Sequence, residues 1–263
     1  MATPLTDSIN VLTTYANEVT GASDTNLSDA VHTLASGYGQ GGLPFDSQYC
    51  KKLDGMFNNA ILPKVFDIDL KDFTSLISIN QMFMNILGEG GVNGETVTIR
   101  NLRQSGNTLT AASLFYYNSR TKYVNFIDCD FSPTNASELF RTSQIEEIHG
   151  ELNFTNTTNA ANAFNGATKL REVRIKPNSI RINASGASFY FKPCANLSNE
   201  SLISIANGLD GTATGLALEL HATAKNNCST ITGINDNGTF VADASGTMSL
   251  ADFITNIKGW TLA

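Results

Sequence analysis

The side chains most able to do chemistry are two closely spaced pairs, Asp67 with Asp69 and His149 with Glu151. Two carboxylates can hydrolyse a glycosidic bond when they face each other across a cleft, one as proton donor and one as nucleophile or base. Here both pairs sit two residues apart in alternating stretches, so each pair shares one face of a strand. The same spacing describes a charged, solvated outer face. His32, His149 and His221 are scattered along the chain. Stacked strands rise ~4.8 Å apart, so even His149 and His221, about three strands from each other, are too distant to share a metal. Cys50, Cys129, Cys194 and Cys228 show no C-x-x-C spacing and read as buried or half-buried thiols. The run Gly88-Glu89-Gly90-Gly91-Val92-Asn93-Gly94 lacks the Lys-Ser/Thr ending of a phosphate loop, and no nucleophile elbow occurs. No catalytic residue, metal site or cofactor is expected.

The elements that would position these side chains form a repeat. Apolar triplets recur at Leu53-Met56-Phe57, Ile79-Met82-Phe83, Ala111-Leu114-Phe115, Ala136-Leu139-Phe140 and Ala160-Ala163-Phe164. Their i, i+3, i+4 pattern predicts a short helical turn with one buried face. The phenylalanines are spaced by 26, 32, 25 and 24 residues. An alternating stretch follows each one, beginning at Val65, Val97, Val124, Ile148 and Val173, at distances of 8, 14, 9, 8 and 9 residues. The second unit therefore holds about six extra residues, placed in the glycine-rich run. Strands separated by about 25 residues must run parallel, and stacking them builds a solenoid. One strand and one helical piece per 20–29 residues is leucine-rich-repeat geometry.

Outward positions on these strands assemble a candidate binding face of Asp67, Asp69, Thr98, Arg100, Asn125, His149, Glu151, Asn153, Arg174 and Lys176, with Glu219 and His221 further along. Concave solenoid faces are where such arrays bind. Mixed charge and abundant Asn suit a protein or a glycan.

Composition narrows the partners. The chain has 263 residues, a formal net charge of −7 and 41% hydrophobic residues. Its 17 Lys and Arg form no basic cluster, which argues against nucleic acid. No run approaches ~18 apolar residues, so no membrane span is expected, and Met1-Ala2-Thr3-Pro4 does not read as a secretory signal.

Residues 1–42 read as an N-terminal segment of two helices and a glycine linker. Leu5, Ile9, Leu12, Ala16 and Val19 make one stripe, and Leu27, Ala30, Val31 and Leu34 another. These stripes either cap the first repeat or mediate homo-oligomerisation. Residues 43–263 read as the solenoid, with an atypical cap over about 183–263. In the cap, Ser188–Phe191 and Leu216–Leu220 are expected as strands, Ser198 and Ser249 as helix caps, and Ile231 and Phe240-Val241 as hairpin strands. Trp260 reads as a packed cap residue.

The Ala-x-x-Met/Leu-Phe unit followed by Leu-x-x-Val-x-Ile resembles bacterial BspA-like leucine-rich repeats, most closely at Asn162–Leu170 and Gly55–Asn59. The resemblance implies phenylalanines stacked along the convex core and strands lining a concave face. Asp24–Thr33, Leu202–Leu209 and Lys258–Ala263 resemble segments of phage and prophage minor structural proteins of Gram-positive gut bacteria, with residues 225–247 departing as an apparent insertion. That likeness implies a virion or surface interaction protein and carries over no catalytic residues.

The expected fold is thus α/β: a leucine-rich-repeat solenoid with a parallel sheet and short helical turns, preceded by two N-terminal helices. The expected function is non-enzymatic recognition of a protein or glycan through the sheet face, on a virion or cell surface. The alternatives are a bacterial adhesin or a polysaccharide hydrolase.

Overall fold

The computed structural model describes residues 50–86, 94–103, 106, 108–181, 188–212 and 215–263. The expected N-terminal helices and most of the glycine-rich run lie outside the described residues. Strands β1 (Val65–Asp69), β2 (Thr96–Arg100), β3 (Tyr123–Ile127), β4 (Glu147–Leu152) and β5 (Glu172–Ile175) form one parallel sheet in sequence order. Each strand belongs to one turn of a five-turn β-solenoid. A second line of single parallel bridges joins Lys52, Ser78, Thr110, Asn135 and Asn159.

The core is a ladder of rings. Phe57, Phe83, Phe115, Phe140 and Phe164 stack in succession with centroids 5.4, 5.2, 5.6 and 5.4 Å apart. Phe191 closes the ladder 4.3 Å from Phe164. Phe57 also meets Phe66 edge-on at 4.8 Å, so the phenylalanine segment and the sheet enclose the core from opposite sides. Offset and edge-on pairs of this kind add to the burial of the rings.

The triplets are buried or half-buried, but not on helices; among the described residues no α-helix precedes Asn199. Around each phenylalanine the chain makes linked three-residue-spaced turns instead, such as Met56 N to Leu53 O, Asn58 N to Gly55 O and Ala60 N to Phe57 O. The alternate amides donate to the next solenoid turn: Phe57 to Met82 O, Phe83 to Leu114 O, Phe115 to Leu139 O and Phe140 to Ala163 O, at 2.7–2.9 Å. A helix would keep all these donors to itself. The residues two before and two after each phenylalanine adopt positive φ, among them Gln81 (58°), Tyr117 (52°), Glu138 (57°) and Thr142 (55°). For a residue other than glycine that costs roughly 1–2 kcal/mol, which the inter-turn bonding offsets.

The strand register also corrects one alignment. Phe66, not Val65, is level with Val97, and Val65 is level with Thr96 and 61% exposed. The first phenylalanine-to-strand distance therefore matches those of the third and fifth turns, and the second unit holds five extra residues rather than six.

The chain beyond the fifth turn closes the array. Strand β6 (Ser188–Phe191), helix α1 (Asn199–Gly208), strand β7 (Ala217–Leu220) and helix α2 (Ala222–Thr230) are followed by β8 (Thr232–Asp236), β9 (Thr239–Ala242) and β10 (Met248–Ser249). A short α3 (Leu250–Asp252) runs into a π-helical turn, Phe253–Ile257, before β11 (Thr261–Leu262). β11, β7 and β6 form a parallel sheet, and β10, β8 and β9 an antiparallel one. The hydroxyls of Ser198 and Ser249 cap α1 and α3 by accepting from Ser201 N and Asp252 N.

Helix α1 takes the place of a sixth strand. Its Ser201 accepts from Val173 N at 2.9 Å and donates to Arg171 O; its Ser204 accepts from Ile175 N at 2.9 Å. Three residues on, Asn207 accepts from Phe240 N at 2.7 Å and donates to Phe240 O at 3.1 Å, so the same helix also closes the edge of β9. Trp260 is buried, and its indole N–H donates to Asp210 O at 3.0 Å.

Candidate functional site

The outward positions of the five-stranded sheet form rows. Asp67, Thr98, Asn125 and His149 occupy one row, and Asp69, Arg100 and Ile127 the next. At β4 the register breaks: Glu147 pairs with Glu172, but Glu151 pairs with Arg174, so β4 bulges between them. Gly150 makes the bulge feasible. Its φ is 94°, and a Cβ there would sit 2.3 Å from the Phe126 carbonyl oxygen. The bulge carries Glu151 level with Arg174 at the C-terminal end of the sheet.

In the first half of the face the side chains bind one another. The Arg100 guanidinium clasps the Asp67 carboxylate with three hydrogen bonds of 2.8–2.9 Å. That hydrogen bonding raises the Arg100 pKa. Asp69 accepts from Lys71 N and Asn101 Nδ2, both at 2.9 Å. Asn125 donates to the buried Thr98 hydroxyl at 3.0 Å. Asp67 and Asp69 thus lie side by side with their oxygens engaged, unlike carboxylates facing across a cleft. His149 Nε2 lies 2.8 Å from Glu147, which also pairs with Arg171.

The second half is open. Glu151, Arg174 and Lys176 are exposed. Among the described residues none of their side chains has an ion pair or hydrogen bond. Glu151, Asn153 and Lys176 line one wall of a cleft of about 230 Å³, completed by Asp128, Asp130, Cys129 and the buried rings of Phe126 and Phe131. Asn153 Oδ1 accepts from Thr155 N at 2.9 Å, which orients its amide. Burial pushes the Cys129 thiol up, and its Sγ sits 3.3 Å from the carbonyls of Ile99 and Ile127. A protonated, hydrogen-bonded thiol is a poor nucleophile at neutral pH. Cys194 and Cys228 are pushed by burial to about 12, and all four cysteines are free thiols.

Seven of the expected face residues, Asp67, Asp69, Thr98, Arg100, Asn125, His149 and Arg174, lie on the strands alone, with Thr98 buried; Glu151 on β4 also reaches the cleft, and Asn153 and Lys176 line it from just beyond the ends of β4 and β5. Glu219 and His221 do not join them. Glu219 pairs with Tyr190 in the second sheet, and His221 caps α2 by accepting from Thr223 N. Asp128 and Asp130 were not among the expected residues because they follow β3 rather than alternate along it. Their i, i+2 spacing, the same as that of Asp67 and Asp69, is the signal that marks them. Among the described residues no group of three or more His, Cys, Asp or Glu could hold a metal ion, and no helix is long and apolar enough to cross a membrane.

Fold and surface together define a parallel β-solenoid with a polar sheet face that opens into a cleft. No protein-family model, curated protein or solved structure matches the chain.

Proposed function

We propose that the chain is a non-enzymatic recognition module that binds a protein or glycan through its sheet face, centred on Glu151, Arg174 and Lys176 beside the cleft. The observation that carries this reading is the contrast in pairing: these charged side chains stand exposed without partners, whereas Asp67 and Arg100 hold each other. Unpaired charges of both signs at the mouth of a cleft suit a ligand that brings its own donors and acceptors. The repeat pattern supports a BspA-like leucine-rich-repeat module, and the terminal segments support a place on a virion or cell surface.

A glycan array and a display of host surface proteins, probed with the full chain, test this. The expected result is binding that Arg174→Ala with Lys176→Ala weakens at least about tenfold. If every ligand captured by the wild type is captured as well by this double variant and by Glu151→Ala, the sheet-face reading fails. Release of reducing sugar, abolished by Asp130→Asn or Glu151→Gln, would replace it with the hydrolase.

A further inference from the structure

Across the core from the sheet, two turns depart from the Asn or Gly of their fellows at one position, and one of the two carries an aromatic ring. The position two residues after each of the five repeat phenylalanines is occupied by Asn59, Asn85, Tyr117, Thr142 and Gly166, all at positive φ. Asn and Gly tolerate that conformation best, and an aromatic side chain is disfavoured there. The backbone duty at this position is to donate to the next turn, as Tyr117 N does to Arg141 O at 3.0 Å. Any residue can do that. The core does not select the ring either, because Tyr117 is 52% exposed. The turn therefore carries a strained tyrosine whose ring lies outside the ladder, beside Tyr116 rather than in the core, and an outlier of this kind points to function.

The ring is held in a built setting. Tyr116 lies 4.3 Å from Tyr117, centroid to centroid, tilted by 47°. The Arg141 guanidinium sits 5.4 Å from the Tyr116 centroid. Arg141 pairs with Glu138, which accepts from the Ser113 hydroxyl at 3.2 Å. The result is a half-exposed aromatic ring beside a second phenol, with a guanidinium and a carboxylate close by whose charges cancel.

We infer that Tyr117, with Tyr116 and Arg141, is a platform for one neutral pyranose ring of a glycan. The C–H face of a pyranose is apolar and slightly positive, so it suits the negative face of a tyrosine ring, while its hydroxyls need donors and acceptors at the ring's edge. A neutral sugar fits the cancelled local charge and the chain's net charge of −7, which disfavours acidic glycans. A protein interface needs about 800 Å² per partner around a buried centre, and one half-exposed ring among polar neighbours does not supply it. This site is separate from the sheet face and does not rest on it.

The test titrates the full chain with maltoheptaose, cellohexaose, laminarihexaose and mannohexaose, by calorimetry and by NMR. At least one should bind. Tyr117→Asn, which installs the residue of the first two turns, should weaken that binding at least about tenfold while raising Tm, and Tyr117→Phe should keep it. Arg174→Ala with Lys176→Ala should leave it unchanged. The proposal is overturned if none of the four sugars binds, or if Tyr117→Asn binds as the wild type does. It is also overturned if only the sheet-face change removes sugar binding, or if Tyr117→Asn abolishes capture of a protein and not of sugar.

Discussion

The two halves of the sheet face are built from the same kinds of residue and differ in what those residues touch. On β1 and β2, Asp67, Asp69, Arg100 and Asn101 hold one another. On β4 and β5, Glu151 and Arg174 share a register and form no ion pair. The two local differences are the Gly150 bulge and the replacement of the next strand by helix α1. A regular array lets each turn answer the last one; an interrupted array leaves charges over for something outside the chain.

The bulge is the largest lever on this contrast. Gly150→Ala would place a methyl 2.3 Å from a backbone oxygen at φ 94°. Relief requires β4 to straighten or to move away from Phe126 on β3, and either would displace Glu151. The expected loss is about 3 kcal/mol, read as a drop in the denaturant midpoint at unchanged slope. A stability loss below 1 kcal/mol would show that the bulge is soft and does not set the position of Glu151.

Next comes the edge that α1 closes. Ser201→Ala leaves the Val173 N–H without its partner in a buried place, while the Arg171 C=O keeps its bond from Ser198 N. Such an orphaned donor costs about 1–3 kcal/mol. Ser204→Ala, at a half-buried position, should cost about half as much. Amide exchange should accelerate at Val173 in the first variant and, to a smaller extent, at Ile175 in the second; unchanged protection at both would mean water replaces either hydroxyl.

A smaller change of opposite sign tests the far side of the core. Thr142 is β-branched, exposed and at φ 55°, in the position where the fifth turn has Gly166. Thr142→Gly should therefore stabilise the chain by about 0.5–1 kcal/mol, visible as a rise in Tm. A fall would show that the Thr142 side chain makes up for its strain against Gly166, whose missing Cβ would lie 3.1 Å away.

Much of this architecture was legible because it repeats. Five phenylalanines at near-constant spacing report a stacked core whatever the local backbone does. The backbone itself was not legible: burial at i, i+3, i+4 is common to a helical turn and to linked β-turns. Gln81, Glu138 and Thr142 at positive φ contradict the preferences of their residue types. Val65 misled the register by one place because it is apolar yet exposed. In the cap, α2 buries only Ala224 and Cys228, too little periodic signal for a helix amid Asn, Ser and Thr. The face itself was readable from strand alternation, but its division into paired and open halves was not. That division depends on which outward side chains meet across strands and on a bulge that a single glycine permits.

The smallest effect bears most directly on recognition. Arg100 and Arg174 both point outward, and by composition they are equivalent. Arg100→Ala frees Asp67 from a bidentate pair in which both side chains are about 40% exposed. Solvent screening keeps its contribution to stability small, and it diminishes as salt is added. Arg174→Ala removes no partner and should change stability by less than about 0.3 kcal/mol. Ligand binding should invert this order. A guanidinium already satisfied by Asp67 has few donors to offer, whereas Arg174 has all five. Loss of Arg174 should therefore weaken capture several-fold where loss of Arg100 leaves it almost intact. Equal effects on binding would mean the ligand breaks the Asp67–Arg100 pair, and the first half of the face would then belong to the site as fully as the second.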